Sequence, residues 1–118
     1  MSPPLGSLIL YTNKIEQMAA FYQSHFGYSV QAAETDRITE LRPTKGGVPL
    51  LLHPAAKGMR QGQAAVKLVF ACKDVPAFCA AAAKRGLQFG KIHQADGYVF
   101  ANAKDPSGNS VSVSERFV

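Results

Sequence analysis

Two cysteines, three histidines and a shortage of acidic residues set the first limits on this chain of 118 residues. Cys72 and Cys79 flank a predicted strand-to-helix junction, with no Cys-x-x-Cys pair and no histidine at a zinc-like spacing. They read as reduced core thiols rather than as a zinc site or a disulfide framework. Long hydrophobic runs are missing too: the longest, Ala77 to Ala83, falls far short of the ~20 apolar residues that span a membrane. The opening MSPPLGS lacks the basic, apolar, small-residue order of a secretory signal, so a soluble cytoplasmic protein with no membrane partner is expected. There is no glycine-rich phosphate loop, no Gly-x-Ser-x-Gly elbow and no cysteine with an activating partner nearby in sequence.

The acid deficit leaves 13 Lys and Arg against 8 Asp and Glu, a formal charge of +5. That charge is diffuse, running from Lys14 to Arg116 with only Lys84 and Arg85 adjacent. Nucleic-acid recognition would show a basic stripe, a stacking motif or a recognition helix, so the balance favours a small anionic ligand over nucleic acid. Hydrophobic residues at 47% and charged residues at 18% are an ordinary globular mixture, and nothing in the composition suggests disorder. A chain of this length removes roughly 65% of its extended surface from water, enough for one good core. One domain, residues 1–118, is therefore expected.

What is present is a pattern used twice. Leu8-Ile9-Leu10-Tyr11 falls, 60 residues on, at Leu68-Val69-Phe70-Ala71, and Asn13-Lys14-Ile15 at Lys73-Asp74-Val75. Gly27 and Gly86 close the two helices within one residue of the same offset. Two copies are too few for a solenoid, so they are expected to pair in one closed domain.

In chain order, the first copy (about 5–55) reads as strand Ser7 to Thr12, a helix capped by Asn13 with Glu16 completing a capping box, and a left-handed stop at Gly27. Its buried face is Ile15, Met18, Ala19, Tyr22 and Phe26. Strands follow at Tyr28 to Ala33, Arg37 to Arg42 and Val48 to His53, with a Thr35-Asp36 turn between the first two. Residues 54–64, rich in glycine and glutamine, form a linker. The second copy (about 64–116) reads as strand Ala65 to Cys72 and a helix Val75 to Arg85 capped by Asp74, with Pro76 tolerated in its first turn. Strands Leu87 to His93, Tyr98 to Ala103 and Ser110 to Glu115 complete it, the last after an Asp105-Pro106-Ser107-Gly108-Asn109 turn. Each half is thus β-α-β-β-β, and one face of each sheet has no helix to cover it.

Three stretches then resemble the vicinal oxygen chelate superfamily of glyoxalases, extradiol dioxygenases and bleomycin-resistance proteins. They are strand one running into Asn-Lys-Ile-Glu, Ala-Phe-Tyr and Phe-Gly-Tyr; Lys-Asp-Val before the Ala-rich helix; and the Asp105–Asn109 turn before the last strand. The resemblance implies an α+β fold of tandem βαβββ modules, with cupped mixed sheets around a cavity, usually completed in a homodimer. Its metal-dependent members place His, Gln or Glu on four strands. Carried over, those places are Ser7, Lys67, Ser112 and either Leu51 or Leu52. A hydroxyl is a weak donor, a protonated amine cannot coordinate and leucine has no lone pair, so no metal and no other cofactor is expected.

The expectation is a metal-independent small-molecule binding protein, its cavity biased toward anionic or aromatic ligands; cationic bleomycin itself is disfavoured by the net charge. Lys67 either holds an anion beside Ser7 and Ser112 or leans past the strand end into solvent, and the serines either face a ligand or bond the backbone. His53 is the candidate for acid–base chemistry, facing the cup if Leu51 does and away if Leu52 does. Glu40 and Arg42 share one face of their strand, lining the cup or forming a surface pair. His93 lies beside a turn, and Tyr98 with Phe100 share a face as an aromatic wall. The alternative is a lyase, isomerase or dioxygenase-type enzyme with a non-standard divalent site such as Glu40, His53 and His93.

Overall fold

A computed structural model describes residues 2–31 and 37–118. The chain divides into two compact units, Met1–Gln61 and Gly62–Val118.

The first unit contains β1 (Leu8–Thr12), α1 (Ile15–Phe26), β2 (Tyr28–Gln31), β3 (Thr39–Pro43) and β4 (Leu50–Pro54). Its sheet runs in the order β1-β4-β3-β2, with β1 and β4 parallel and the other neighbours antiparallel. The parallel pairing needs a crossover, and α1 supplies part of it, covering one sheet face. Met18 and Tyr22 of α1 and Leu41 and Leu52 of the sheet have no exposed surface, and each such burial contributes about 1.5–3 kcal/mol. Tyr22 also meets Phe21 and Tyr28 edge-on, at centroid distances of 5.0 and 6.1 Å.

The second unit repeats the plan with β5 (Lys67–Ala71), α2 (Val75–Lys84), β6 (His93–Gln94), β7 (Val99–Lys104) and β8 (Ser110–Ser114), ordered β5-β8-β7-β6. Again the outer pair, β5 and β8, is parallel. Two four-stranded mixed sheets with two helices make the fold α+β, a tandem βαβββ. The core of this unit is built from smaller residues. Val75, Ala82, Ala101, Val111 and Val113 are fully enclosed, and Phe78 meets Phe89 edge-on at 6.1 Å.

The local signals decide where elements stop. Gly27 takes the left-handed conformation at φ 69° and donates its N–H to the Tyr22 carbonyl, ending α1. At the end of α2, Gly86 N–H donates to Ala83 and Leu87 N–H to Ala82, the paired bonds of a Schellman cap. Asp74 caps α2 through Ala77 N–H at 3.0 Å. In the last turn the buried Asp105 carboxylate accepts from the Ser107 and Asn109 amides and from the Asn109 side chain, each at 2.9 Å. That network sets the chain's entry into β8.

Three expectations are corrected. The capping box at Asn13 does not form: the cap residue is Lys14, without a side-chain cap bond, and its N–H donates to Thr12 Oγ1 at 2.9 Å. The buried threonine one step earlier closes the turn, and the Asn13 N–H is taken by Gln61 Oε1 at 3.2 Å. The strand expected over Leu87 to His93 shrinks to His93–Gln94. Leu87 and Phe89 are buried, yet Gly90 N–H to the Asn102 carbonyl is the bond that ties this stretch to β7. The strands drawn from residues 37, 48 and 65 begin two residues later, at Thr39, Leu50 and Lys67. The Thr35-Asp36 turn and the end of the second strand at Ala33 lie outside the described residues.

Candidate ligand cavity of the second unit

Alternation along β5 puts Lys67, Val69 and Ala71 on one sheet face, opposite the face carrying Leu68 and Phe70. The parallel register sets Val69 beside Ser112 and Ala71 beside Ser114. On the far side of β8, Phe100 lies opposite Ser114 and Asn102 opposite Ser112. This is the sheet face that α2 does not cover, and a cavity of about 360 Å³ opens on it. Its lining comprises the β5 and β8 residues just named, the rings of Tyr98 and Phe100, and Arg116 and Phe117 beyond the end of β8.

Two cations and an aromatic wall dominate its chemistry. Lys67 Nζ stands 5.5 Å from the centroid of Phe100, and the Arg116 guanidinium 5.4 Å from that of Tyr98. The two rings are 6.2 Å apart. Arg116 Nη1 also donates to the Tyr98 hydroxyl at 3.4 Å, while its backbone N–H donates to Ser114 Oγ at 3.1 Å. Arg42 pairs with Glu40, and among the described residues neither Lys67 nor Arg116 has a carboxylate partner. Ser112 is 1% exposed and its hydroxyl donates to the Ala101 carbonyl at 2.9 Å, leaving lone pairs rather than a proton for the cavity. His93 stacks on Phe100 at 5.0 Å and 19°, at the wall rather than on a metal-ligand array.

The remaining candidates belong to the first unit. Ile9 pairs with Leu51, Tyr11 with His53 and Glu40 with Leu51, so Leu51 and His53 face away from α1 while the enclosed Leu52 faces it. The parity question is thereby answered in favour of Leu51. His53 Nδ1 lies 2.8 Å from the Pro54 carbonyl, which only accepts, so Nδ1 donates in this contact. Its ring packs 5.3 Å from that of Tyr11. Glu40 binds Arg42 through Nε at 3.0 Å and Nη2 at 2.9 Å, an exposed pair that contributes about 0–1 kcal/mol. Ser7 is exposed just before β1.

The donor set at the carried-over places does not fit a divalent ion. It consists of an ammonium over a phenyl ring, a hydroxyl committed to a backbone carbonyl, an exposed serine and an aliphatic chain. Among the described residues no three His, Cys, Asp or Glu side chains gather into a group able to hold a metal. No helix among the described residues is long and apolar enough to cross a membrane. Val69, Ala71, Ser114 and Arg116 were not singled out from the sequence; stepping by two from Lys67 and Ser112 finds all four.

The chain belongs to the Glyoxalase/Bleomycin resistance protein/Dioxygenase superfamily, whose model matches residues 5–113. Among solved structures it is similar to TnmS3, an antibiotic binding protein from Streptomyces sp. CB03234, at 22% identity over 96% of each chain with a TM-score of 0.78. It is similar to UcmS2 at 17% identity over 98% of this chain and 99% of that one, with a TM-score of 0.80. A superfamily member from Sphaerobacter thermophilus DSM 20745 aligns at 17% identity over 96% and 97% of the two chains, with a TM-score of 0.78. No curated protein matches the chain.

Proposed function

We propose that this chain is a metal-independent small-molecule binding protein whose second-unit cavity takes anionic or aromatic ligands. The observation that carries the reading is two cations, without carboxylate partners among the described residues, seated over neighbouring rings of one apolar-walled cavity. Its volume of about 360 Å³ lies within the roughly 300–1,000 Å³ of ordinary small-molecule sites. A ligand ring gains by covering Val69, Ala71 and the aromatic wall, and an acidic group gains charge-assisted bonds to Lys67 or Arg116. TnmS3, with the same fold, is an antibiotic binding protein, which supports binding rather than turnover as the use of this scaffold here. The chain is proposed to act as one domain that assembles as a homodimer, with Ser7, Glu40, Arg42, His53 and His93 as further candidate ligand contacts.

Naphthoate titrated into chelator-treated protein tests the reading. Saturable binding is expected, unchanged by added Ni, Mn, Fe or Zn and abolished by Ala71→Tyr, which fills the cavity from β5. Binding that disappears on chelation and returns with one of these metals would overturn metal independence. No binding, or binding indifferent to Ala71→Tyr, would overturn the cavity assignment.

A further inference from the structure

From the placement of the two cations we infer that the ligand is an aromatic dianion, with one acidic group at Lys67 and a second at Arg116. The inference rests on the binding reading above and specifies its ligand class.

The charges enter the cavity from opposite ends of the sheet face. Lys67 opens β5, where its backbone is in register with Ser110 at the start of the parallel β8. Arg116 lies beyond the end of that same strand. Arg116 lies six positions beyond Ser110, a span of up to about 20 Å of extended chain. Both side chains nevertheless turn back over one wall, Lys67 onto Phe100 and Arg116 onto Tyr98, with the rings 6.2 Å apart. Arg116 also borders a second hollow with Asp96 and Glu115, but neither is ion-paired with it, and Glu115 Oε2 instead accepts from Val75 N–H at 3.5 Å.

One carboxylate matches one guanidinium fork or one ammonium. Bound at either cation, a monoanion leaves the other without counter-charge in a cavity where no carboxylate lines the wall. A flat ligand with acids at opposite ends satisfies both while its ring rests on Val69, Ala71 and the aromatic wall. The partners these cations now have are rings, and cation–π contacts at exposed sites contribute only about 0.5–1 kcal/mol. Exchange for charge-assisted bonds is therefore favourable at both places.

The test compares three probes of the same ring system: a naphthalene dicarboxylate with its acids at opposite ends, naphthoate, and the neutral naphthamide. Affinities come from amide chemical-shift titrations near neutral pH at low and high salt. The dianion is expected to bind about tenfold or more tighter than naphthoate, as a second charge-assisted contact implies, and to weaken most with salt. Lys67→Met and Arg116→Gln should each bring the dicarboxylate to about the wild-type affinity for naphthoate and lower its affinity by a much larger factor than that for naphthamide. Binding of naphthamide by each variant shows that it remains folded. Lys57→Gln, which removes a surface charge from outside the cavity lining, should leave the ratios unchanged. If the dicarboxylate binds no tighter than naphthoate, or if Lys57→Gln lowers the ratio as much as the cavity variants do, the dianion inference fails and the binding reading stands. If none of the three probes binds, the binding reading fails and the inference with it.

Discussion

Replacing Gly62 by alanine should destabilise the second unit far more than the same change at Gly86, and the difference isolates one close backbone contact. Both glycines have positive φ, 73° at Gly62 and 93° at Gly86. For an L-residue that conformation costs about 1–2 kcal/mol, offset by about 0.4–1 kcal/mol because alanine stiffens the unfolded chain. Around Gly86 a Cβ meets nothing within 4 Å, so Gly86→Ala should cost only about 1 kcal/mol. A Cβ on Gly62 would lie 2.8 Å from the Ser107 carbonyl oxygen and 3.0 Å from the Cα and carbonyl carbon of Gly108. All three are backbone atoms, so no side-chain rotation relieves the clash, and overpacking adds about 1–3 kcal/mol. The expected total for Gly62→Ala is about 2–4 kcal/mol. Urea unfolding followed by far-UV circular dichroism reads both variants, with unchanged m-values showing that the native and denatured states are otherwise alike. The displaced atoms belong to the turn that feeds β8, the strand of Ser112 and Ser114, so naphthoate affinity should fall in Gly62→Ala and hold in Gly86→Ala. Equal destabilisation of the two variants, within about 0.5 kcal/mol, would refute the contact as a determinant of the fold.

Burial holds the Tyr28 phenol above its ordinary pKa, and its hydroxyl donates to the Val48 carbonyl at 2.9 Å. The folded chain then keeps a proton that the unfolded chain releases near pH 10, so this contribution is complete below about pH 10 and is lost as pH rises through the folded value. Tyr28→Phe should flatten that alkaline loss of stability and cost about 1 kcal/mol at neutral pH, and an unaltered alkaline limb in a pH series of urea melts would contradict the assignment. Asn102 Oδ1 is buried with no hydrogen-bond partner among the described residues. Asn102→Leu should therefore stabilise the ligand-free protein by about 1 kcal/mol in the same melts, and a comparable loss would show that the amide has a partner in solution.

Much of the fold was legible because its signals are local and sterically strict. A glycine at a helix end, an aspartate at a helix start and the Asp105–Asn109 turn each solve a backbone problem that few residues solve, so their positions mark boundaries. Strand six was misread for a complementary reason. The alternation of Leu87, Gln88 and Phe89 announces a half-buried extended segment, but burial against α2 through Phe78 needs no strand partner, and ladder bonds are not written in one strand's sequence. The cap at α1 failed similarly, since Thr12, Asn13 and Lys14 offer competing closures and the tertiary burial of Thr12 decides among them. At the site, strand parity was open until the Ile9–Leu51 register was known, and the reach of Lys67 to Phe100 depends on rotamers that no spacing encodes.

The two copies of the module explain why the cavity sits where it does. Their registers align β1 with β5 at an offset of 60 and β4 with β8 at an offset of 61. On the helix-free face the first unit then carries Ile9, Tyr11, Leu51 and His53 where the second carries Val69, Ala71, Ser112 and Ser114. Tyr11 and His53, packed ring against ring, occupy the places that alanine and serine leave open in the other copy. The charges diverge in the same direction. Arg42 is paired with Glu40 two residues away on its own strand, whereas neither Lys67 nor Arg116 is ion-paired among the described residues. The helix-free face of the first sheet thus carries bulk and a closed ion pair, and that of the second carries space and open charge. Residue size along β5 and β8, more than any single polar side chain, opens the cavity on the second face.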